Sequence, residues 1–337
     1  MSDLLAELRS KWDQALSSGS GGREWRGVAL AIASPVRLLA GIRDRDNRIS
    51  VLMETALQHG PRHRIRLQAE GISLVDQRVN DEGLLRLAVT LERPDLRDIF
   101  EVLAIDLIAV AAAPSSPEQC VAQIVRRLEA WQACLRIRQR GLTREEQAGL
   151  TGELMFARLA GEEIGLAQAL DAWSGPLDAL HDFQNAGIAA EVKTTVGVSQ
   201  HIRISRIDQL NSHGLTALLL VRVRLQESPA GKTLPEHVAG VRTILTEKFP
   251  NAVAPFEEKL MRAGYLDTDA DLYGALKTAL HEIHGFHVTE TFPRLVRDSL
   301  PPAIVEASYL LDERQLAAHR LSEHDFRAAL RRMSVRV

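Results

Sequence analysis

The stretch HDFQNAGIAAEVKTTVG, residues 181–197, places one aspartate, one glutamate and one lysine among mostly small and apolar residues. The Asn-Ala-Gly sequence at residues 185–187 suits a tight turn, so the pattern predicts two adjoining strands, residues 177–183 and 188–197. Their apolar character indicates that both strands are buried, and a buried charge is unfavourable unless it is paired. The three charged side chains therefore need a chemical explanation.

The charged side chains converge if this hairpin forms. Residues two apart in a strand point to the same face, so Glu191 and Lys193 project together, with Asp182 on the neighbouring strand within cross-strand reach. Two converging carboxylates require a positive charge between them, and their oxygens suit Mg²⁺ or Mn²⁺. The Val192 backbone carbonyl offers a third oxygen. Lys193 beside such a cation can orient a water or stabilise charge on a phosphate, so the pattern points to phosphodiester hydrolysis.

Composition narrows the class of protein. The chain has 337 residues, 45% of them hydrophobic, which is enough for two domains or one large domain. A net charge of −3 argues against a protein that coats nucleic acid, although a local basic patch remains compatible. Cys120 and Cys134 lie in a helical pattern, which disfavours a disulfide scaffold or a cysteine zinc site. The first helix lacks a secretory core and Asp106 interrupts the most apolar run, so we expect a cytoplasmic protein without membrane contact.

The pattern along the chain predicts an α+β protein with four segments. Residues 1–23 form an amphipathic helix and a Gly/Ser-rich linker, and residues 24–140 form a β-rich domain, an antiparallel sheet closed by a helix. Residues 141–230 hold the charged hairpin in the order helix, strand, strand, strand, helix, strand. Residues 231–337 form a mostly helical C-terminal extension packing on this core, with late strands possible at FHVTETF and AIVEASYLL.

The D…ExK pattern on a hairpin, preceded by a helix that carries a glutamate, resembles the PD-(D/E)XK nuclease superfamily, whose restriction-endonuclease-like core runs α-β-β-β-α-β. More narrowly, the segments GLTGELMF, WSGP, HDF, EVKTT and HIRISRIDQL resemble a bacterial family of PD-(D/E)XK motif proteins. The resemblance covers residues 142–225. It implies that Asp182, Glu191 and Lys193 form the catalytic core and that Glu153 is an accessory metal ligand. His181 stands where the superfamily has proline, the least chemical member of the motif.

The resemblance implies a Mg²⁺- or Mn²⁺-dependent DNA endonuclease of a bacterial restriction or phage-defence system. GHKL/MutL-type and helicase-like ATPase subunits are the partners that it suggests besides DNA, and a homodimer is a further possibility. An alternative is a catalytically idle nuclease-like module that binds nucleic acid or a partner subunit. A third is a nuclease for branched or single-stranded ends. The intact Asp182, Glu191 and Lys193 favour an enzyme over the idle module.

Several weaker motifs admit ordinary explanations. The ExK spacing recurs at residues 257–259, but there it lies in a helical surface pattern where charges are solvated. HEIHGFH suggests zinc binding by His281, His284 and His287, yet the spacing is not HExxH and the pattern predicts a helix that ends at Gly285, so an exposed or structural cluster is favoured. Three further polar residues are open between contact with phosphate or water and ordinary packing or solvation: Thr194, Thr195 and Gln209.

An arginine-rich helix end and linker precede the charged hairpin. The residues expected to face phosphate are Arg136, Arg138, Arg140 and Arg144, with Arg126 and Arg127 further back on the same helix. A solvated helix face explains the same pattern. The position at a domain junction adds weight to nucleic-acid binding and leaves both explanations open.

Overall fold

A computed structural model describes residues 2–19, 24–56, 58, 68–69, 71–79, 83–113, 115–137, 141–177, 179–297, 300–301 and 303–334. The chain divides into two compact units, Met1–Gln139 and Arg140–Val337. Both contain helices and sheets, so the predicted α+β class is confirmed. None of the helices in the described part of the chain is both long and apolar enough to cross a membrane.

Among its described residues, the first unit contains one antiparallel sheet and three α-helices. The strand order is β1-β2-β3-β6-β5-β4, and every neighbouring pair is antiparallel. The strands are β1 Trp25–Ala29, β2 Arg37–Arg43, β3 Arg48–Ala56, β4 Gln68–Ala69, β5 Ile72–Val79 and β6 Leu84–Leu91. The helices are α1 Ser2–Ser17, α2 Arg97–Ala112 and α3 Pro117–Ile137.

Two features of this unit differ from the sequence interpretation. Helix α1, which the sequence set apart with the linker, packs on β1 and β2, and Trp12 Nε1 donates to the backbone carbonyl of Ser50 at 2.8 Å. The apolar run that Asp106 interrupts is helix α2. Its aspartate accepts hydrogen bonds from Arg127 and from Trp131 Nε1, both on α3. The one charge in the run therefore joins the two helices.

The second unit is built on a four-stranded mixed sheet of order β11-β10-β8-β7, in which β8 and β10 are parallel and the outer pairs are antiparallel. Strands β9 and β12 form a separate two-stranded sheet. The strands are β7 Phe183–Asn185, β8 Ile188–Val196, β9 His201–Ile204, β10 Ala217–Lys232, β11 Thr278–His287 and β12 Tyr309–Asp312. The helices are α4 Arg144–Ile164, α5 Leu166–Ala172, α6 Leu234–Lys248, α7 Val253–Arg262 and α8 Glu323–Arg332.

Each face of the mixed sheet has its own apolar core. Val192 and Val221 pack with the helices on one face. Ala189 and Leu220 pack on the other face with residues of β9 and β12. Side chains alternate along a strand, so the face of Ala189 also receives Glu191 and Lys193, whose register neighbours on β10 are Leu220 and Arg222. Glu191, Lys193 and Arg222 therefore form a polar row on the same face of the sheet as the apolar residues Ala189 and Leu220.

The expectation of a mostly helical segment after residue 230 needs correction at HEIHGFH. This stretch belongs to strand β11, which pairs with β10. The spacing of its histidines and glutamate is compatible with a helix, but β10 is 16 residues long and its free edge pairs with these residues. Leu311, in the predicted late strand AIVEASYLL, does lie on a strand, β12.

Helix α4 begins at a capping box, as the sequence predicts. Thr143 Oγ1 accepts from the Glu146 backbone N–H, and the Glu146 side chain accepts from the Thr143 N–H. Further along, α4 packs on β8 at Gly152, where an added Cβ would lie 1.9 Å from Thr194 Oγ1. A glycine at this contact sets the distance between the helix that carries Glu153 and the strand that carries Glu191.

Gly152→Ala is therefore expected to destabilise the protein. Overpacking against Thr194 costs about 1–3 kcal/mol, which outweighs the ~0.5–1 kcal/mol that alanine gains over glycine inside a helix. Gly149→Ala on the same helix is the matched control, because nothing lies within 4 Å of its added Cβ. Denaturant unfolding of the full chain should show the first variant weakened and the second slightly strengthened. Equal stability of the two variants would contradict the close packing.

Candidate active site

Asp182 lies just before strand β7, whereas the sequence predicted that it belongs to a longer strand, residues 177–183. The chain forms a short 3₁₀ turn at Gly175–Leu177, and β7 contains only Phe183–Asn185. The backbone N–H groups of Ser174 and Gly175 both donate to the Asp182 carbonyl, at 2.7 and 2.9 Å. These bonds occupy the backbone carbonyl that a longer strand would use for sheet pairing. The WSGP segment therefore holds Asp182 at the end of the sheet.

The Asp182 carboxylate faces β8. Its Oδ2 accepts a hydrogen bond from the Val192 backbone N–H at 2.7 Å. Phe183 and Ala190 are register partners, so the next positions along the two strands are Asp182 and Glu191. The tight Asn-Ala-Gly turn predicted between these strands is present, with Ala186 and Gly187 both at positive φ.

Glu191 and Lys193 are in direct contact. Lys193 Nζ lies 2.7 Å from Glu191 Oε1, and the Glu191 residue is only 1% exposed. Its second oxygen, Oε2, is buried and has no hydrogen-bond partner among the described residues. An unsatisfied buried carboxylate oxygen is costly unless something positive completes its environment.

Glu153 reaches this region from helix α4. Its Oε2 accepts a hydrogen bond from Trp173 Nε1 at 2.7 Å. Burial raises the pKa of Glu153, and the charge of Asp182 raises it further. Burial, followed by the charge of Asp182, also raises the pKa of Glu191, and burial raises that of Asp182. The three carboxyl groups therefore share one poorly solvated site with Lys193.

This donor set fits a hard divalent cation. The ligands on offer are carboxylate oxygens, which Mg²⁺ and Mn²⁺ prefer, and the buried Glu191 Oε2 lacks a partner in the part of the chain that is described. A cation would also relieve the repulsion that raises the pKa of Glu153 and Glu191. Val192, which was expected to offer its carbonyl, contributes its N–H to Asp182.

Gln209 connects Lys193 to the short 3₁₀ helix Ile207–Leu210. Its Oε1 accepts from Lys193 Nζ at 3.3 Å and from the backbone N–H of Ser205 at 2.8 Å. The sequence left Gln209 open between a phosphate contact and a solvated helix face. The side chain instead contacts the candidate catalytic lysine, and so can hold the ammonium group in place.

Comparison with protein families bears on this site. A family model described as "Putative PD-(D/E)XK family member, (DUF4420)" matches residues 8–313. The chain belongs to this family. No curated protein matches the chain, and no solved structure does. The match includes the first unit and reaches Glu313, well beyond the segment that carries the sequence motifs.

Not every polar residue near Glu191 and Lys193 is exposed. The Thr194 and Thr195 hydroxyls are buried without hydrogen-bond partners among the described residues, and Thr194 packs at Gly152. His181 is buried, and burial lowers its pKa, so the imidazole is neutral at pH 7. These positions support packing of the site.

The three histidines of HEIHGFH do not converge in this PD-(D/E)XK chain. His281 and His287 are exposed, whereas His284 is buried. The Nε2 atom of His284 lies 3.0 Å from Glu313 Oε1, and its Nδ1 lies 3.6 Å from Glu282 Oε2. Although three residues that could bind a metal meet there, arginines already supply the positive charge: Arg222 and Arg224 both contact Glu313. The cluster is an ion-pair network.

The predicted arginine patch is only partly described. Arg138, Arg140 and the side chain of Arg136 lie outside the described residues. Arg144 Nη2 lies 2.5 Å from Glu227 Oε1, and both side chains are more than half exposed. An exposed pair of this kind contributes little to stability and can open to bind phosphate.

The raised pKa values of Glu153 and Glu191 predict a metal-free protein that weakens as pH rises. Burial and the Asp182 charge raise the pKa of Glu153 to about 8 and that of Glu191 to about 7. Unfolded glutamate has a pKa of about 4.3, so the folded chain keeps protons that the unfolded chain releases. The stability contributed by each group is complete below that unfolded value and is lost as pH rises through the folded value.

Glu153→Gln and Glu191→Gln should each reduce the loss of stability with rising pH, because an amide keeps the shape of the side chain without its charge. In a chelator at pH 8, we expect the Tm of each variant to exceed that of wild type. The expected shift is about 2–4 °C for each kcal/mol of repulsion that the substitution relieves. Glu247→Gln, an exposed change on α6, is the control. Thermal melts from pH 5 to pH 8.5 measure the effect, and parallel curves for wild type and both variants would refute the shared acidic site.

Proposed function

We propose that the protein is a metal-dependent endonuclease that hydrolyses phosphodiester bonds in DNA. The observation that carries the proposal is the contact between Lys193 and the buried Glu191, at a site that also includes Asp182 and Glu153. Membership of the PD-(D/E)XK family supports a nuclease-like activity. DNA as substrate and endonucleolytic cutting are the finer parts of the proposal.

Each residue has a distinct role in the proposed reaction. Asp182, Glu191, the Val192 carbonyl and Glu153 would hold Mg²⁺ or Mn²⁺, which when bound would neutralise phosphate charge and lower the pKa of a water. Lys193 places its ammonium where charge builds on the phosphate or where the attacking water is oriented. Glu191 fixes that ammonium at 2.7 Å from its own carboxylate. Trp173 orients Glu153 through the hydrogen bond to Oε2.

The proposed biological setting is a bacterial restriction or phage-defence system in the cytoplasm, where foreign DNA is met. ATPase subunits of GHKL/MutL-like or helicase-like type are the proposed partners, and a homodimer is compatible with two-strand cutting. Arg136, Arg138, Arg140 and Arg144 remain the proposed backbone-binding patch, through which Lys and Arg contacts would give salt-dependent affinity.

Supercoiled plasmid tests this function directly. Purified full-length protein is incubated with plasmid in Mg²⁺, in Mn²⁺ or in chelator, with and without candidate ATPase partners. We expect nicked or linear DNA in either metal and intact plasmid in chelator. Intact plasmid under every metal and partner condition, with DNA binding retained, would instead identify a catalytically idle module.

A further inference from the structure

Arg206 is an exposed arginine immediately before the 3₁₀ helix Ile207–Leu210. Its backbone N–H donates to Gln209 Oε1 at 3.3 Å, the same oxygen that accepts from Lys193 Nζ. Because Gln209 Oε1 accepts from both nitrogens, the Gln209 side chain links the Arg206 backbone to the candidate catalytic ammonium of Lys193. The position of Arg206 is thus tied to the candidate active site.

The positive charge of Arg206 affects the carboxyl groups of Asp182 and Glu191, although Arg206 forms no ion pair with either of them. Burial raises the pKa of both Asp182 and Glu191, and the positive charge of Arg206 opposes this rise. Yet among the residues that are described, no carboxylate lies within ion-pair distance of its guanidinium. Several, though not all, of the other arginines of this unit have acidic partners: Arg144, Arg222, Arg224, Arg242, Arg314, Arg327 and Arg331.

We infer that Arg206 binds a phosphate group of the nucleic-acid substrate next to the carboxylates that hold the metal. An exposed guanidinium beside an acidic cluster, left without an acidic partner, is available to an anion that arrives with the substrate. Guanidinium groups bind phosphate oxygens through two parallel hydrogen bonds, which fixes orientation as well as charge. The inference rests on the proposed nuclease function and adds a substrate-binding residue to it.

The role of Arg206 is distinct from that of its neighbours. Lys193 and Gln209 are half-buried and contact each other, whereas Arg206 is exposed and lies immediately before the short helix that carries Gln209. Binding of phosphate by Arg206 should therefore affect affinity for DNA and its salt dependence. It should leave metal binding intact, since removal of a nearby positive charge cannot weaken attraction of a cation to Asp182 and Glu191.

The test measures binding of a labelled short DNA duplex by fluorescence anisotropy in Ca²⁺, from 50 to 200 mM salt, with the DNA recovered afterwards to check that it is intact. Arg206→Ala should weaken binding roughly tenfold, as for one hydrogen-bonded charge, and reduce the salt slope by about one. Arg206→Lys should keep the slope with intermediate affinity. Arg158→Ala, an exposed arginine on α4, should match wild type.

Two further measurements distinguish the possible failures. Mn²⁺ titration calorimetry and thermal melting of Arg206→Ala should show metal affinity equal to or above wild type and an unchanged Tm; a loss of both would assign Arg206 a structural role and overturn the inference. Unchanged affinity and salt slope in Arg206→Ala, with wild type cutting plasmid, would overturn the inference alone. DNA binding that depends on Arg206 in a wild type that cuts nothing would support it and refute the nuclease. Absence of DNA binding by wild type would overturn both.

Discussion

Lys193→Ala should remove most DNA cleavage while the protein remains folded and still binds Mn²⁺. The ammonium group ligates no metal, but it lies 2.7 Å from the Glu191 carboxylate and contacts Gln209. Loss of one preorganised electrostatic contact to the developing charge costs about 10²–10³ in rate. Glu191→Ala should cost at least as much, because it removes a proposed ligand of the metal and with it the activation of water.

Single-turnover cleavage of plasmid at saturating Mn²⁺ measures these rates, with calorimetry reporting metal binding in parallel. Lys248→Ala, an exposed lysine on α6, controls for the loss of a positive charge elsewhere. Gln209→Ala should fall between wild type and Lys193→Ala, since it releases the ammonium without deleting it. If Lys193→Ala unfolds the chain, the lysine is structural and its proposed catalytic role is wrong.

Glu313→Ala should be among the most destabilising single substitutions in the second unit. Glu313 Oε2 lies 3.3 Å from Arg222 Nε and 2.8 Å from Arg224 Nη2, and Arg222 is completely buried. Removal of the carboxylate leaves a buried guanidinium without its counter-charge, which costs about 3–5 kcal/mol. Glu306→Ala, at an exposed glutamate of the same C-terminal segment, should change stability by less than ~0.5 kcal/mol.

A second substitution shows whether Glu313→Ala destabilises the protein through the lost contacts of the carboxylate or through the unpaired charge of Arg222. Arg222→Met in the Glu313→Ala background removes the unpaired guanidinium, so the double variant should recover part of the lost stability. Urea unfolding at pH 7 provides the free energies of unfolding. Additive losses in the double variant would show that Arg222 does not depend on Glu313. Because Arg222 is the register neighbour of Lys193, cleavage by Glu313→Ala should also be slower.

The local part of the site could be predicted from the sequence because its signals are short-range. Period-two spacing placed Glu191 and Lys193 on one face, and the turn residues placed Asp182 opposite them, as the structure has it. The extent of β7 could not be predicted, since hydrogen bonds from Ser174 and Gly175 to the Asp182 carbonyl depend on the folded turn. The roles of these residues remain proposals.

Long-range pairing explains the remaining differences. HEIHGFH is a strand only because the edge of β10 is there to receive it. Lys259, in the segment expected to be a solvated surface, is instead buried, with Nζ donating to the backbone carbonyls of Leu170 and Asp171 at 2.7 and 2.9 Å. Neither contact leaves a periodic signal in the residues around it, because the partner lies far away along the chain.

The bridge between Arg222 and Glu313 joins residues 91 positions apart, and this has a consequence during synthesis on the ribosome. Strands β8 and β10 emerge before Glu313 does. They carry Glu191, Lys193 and Arg222, and Arg222 still lacks its counter-charge. The counter-charge arrives only when 91 further residues have been translated. A nascent chain that already contains every proposed catalytic residue therefore cannot yet assemble its final polar row, so the proposed cutting activity should begin only after Glu313 has been translated.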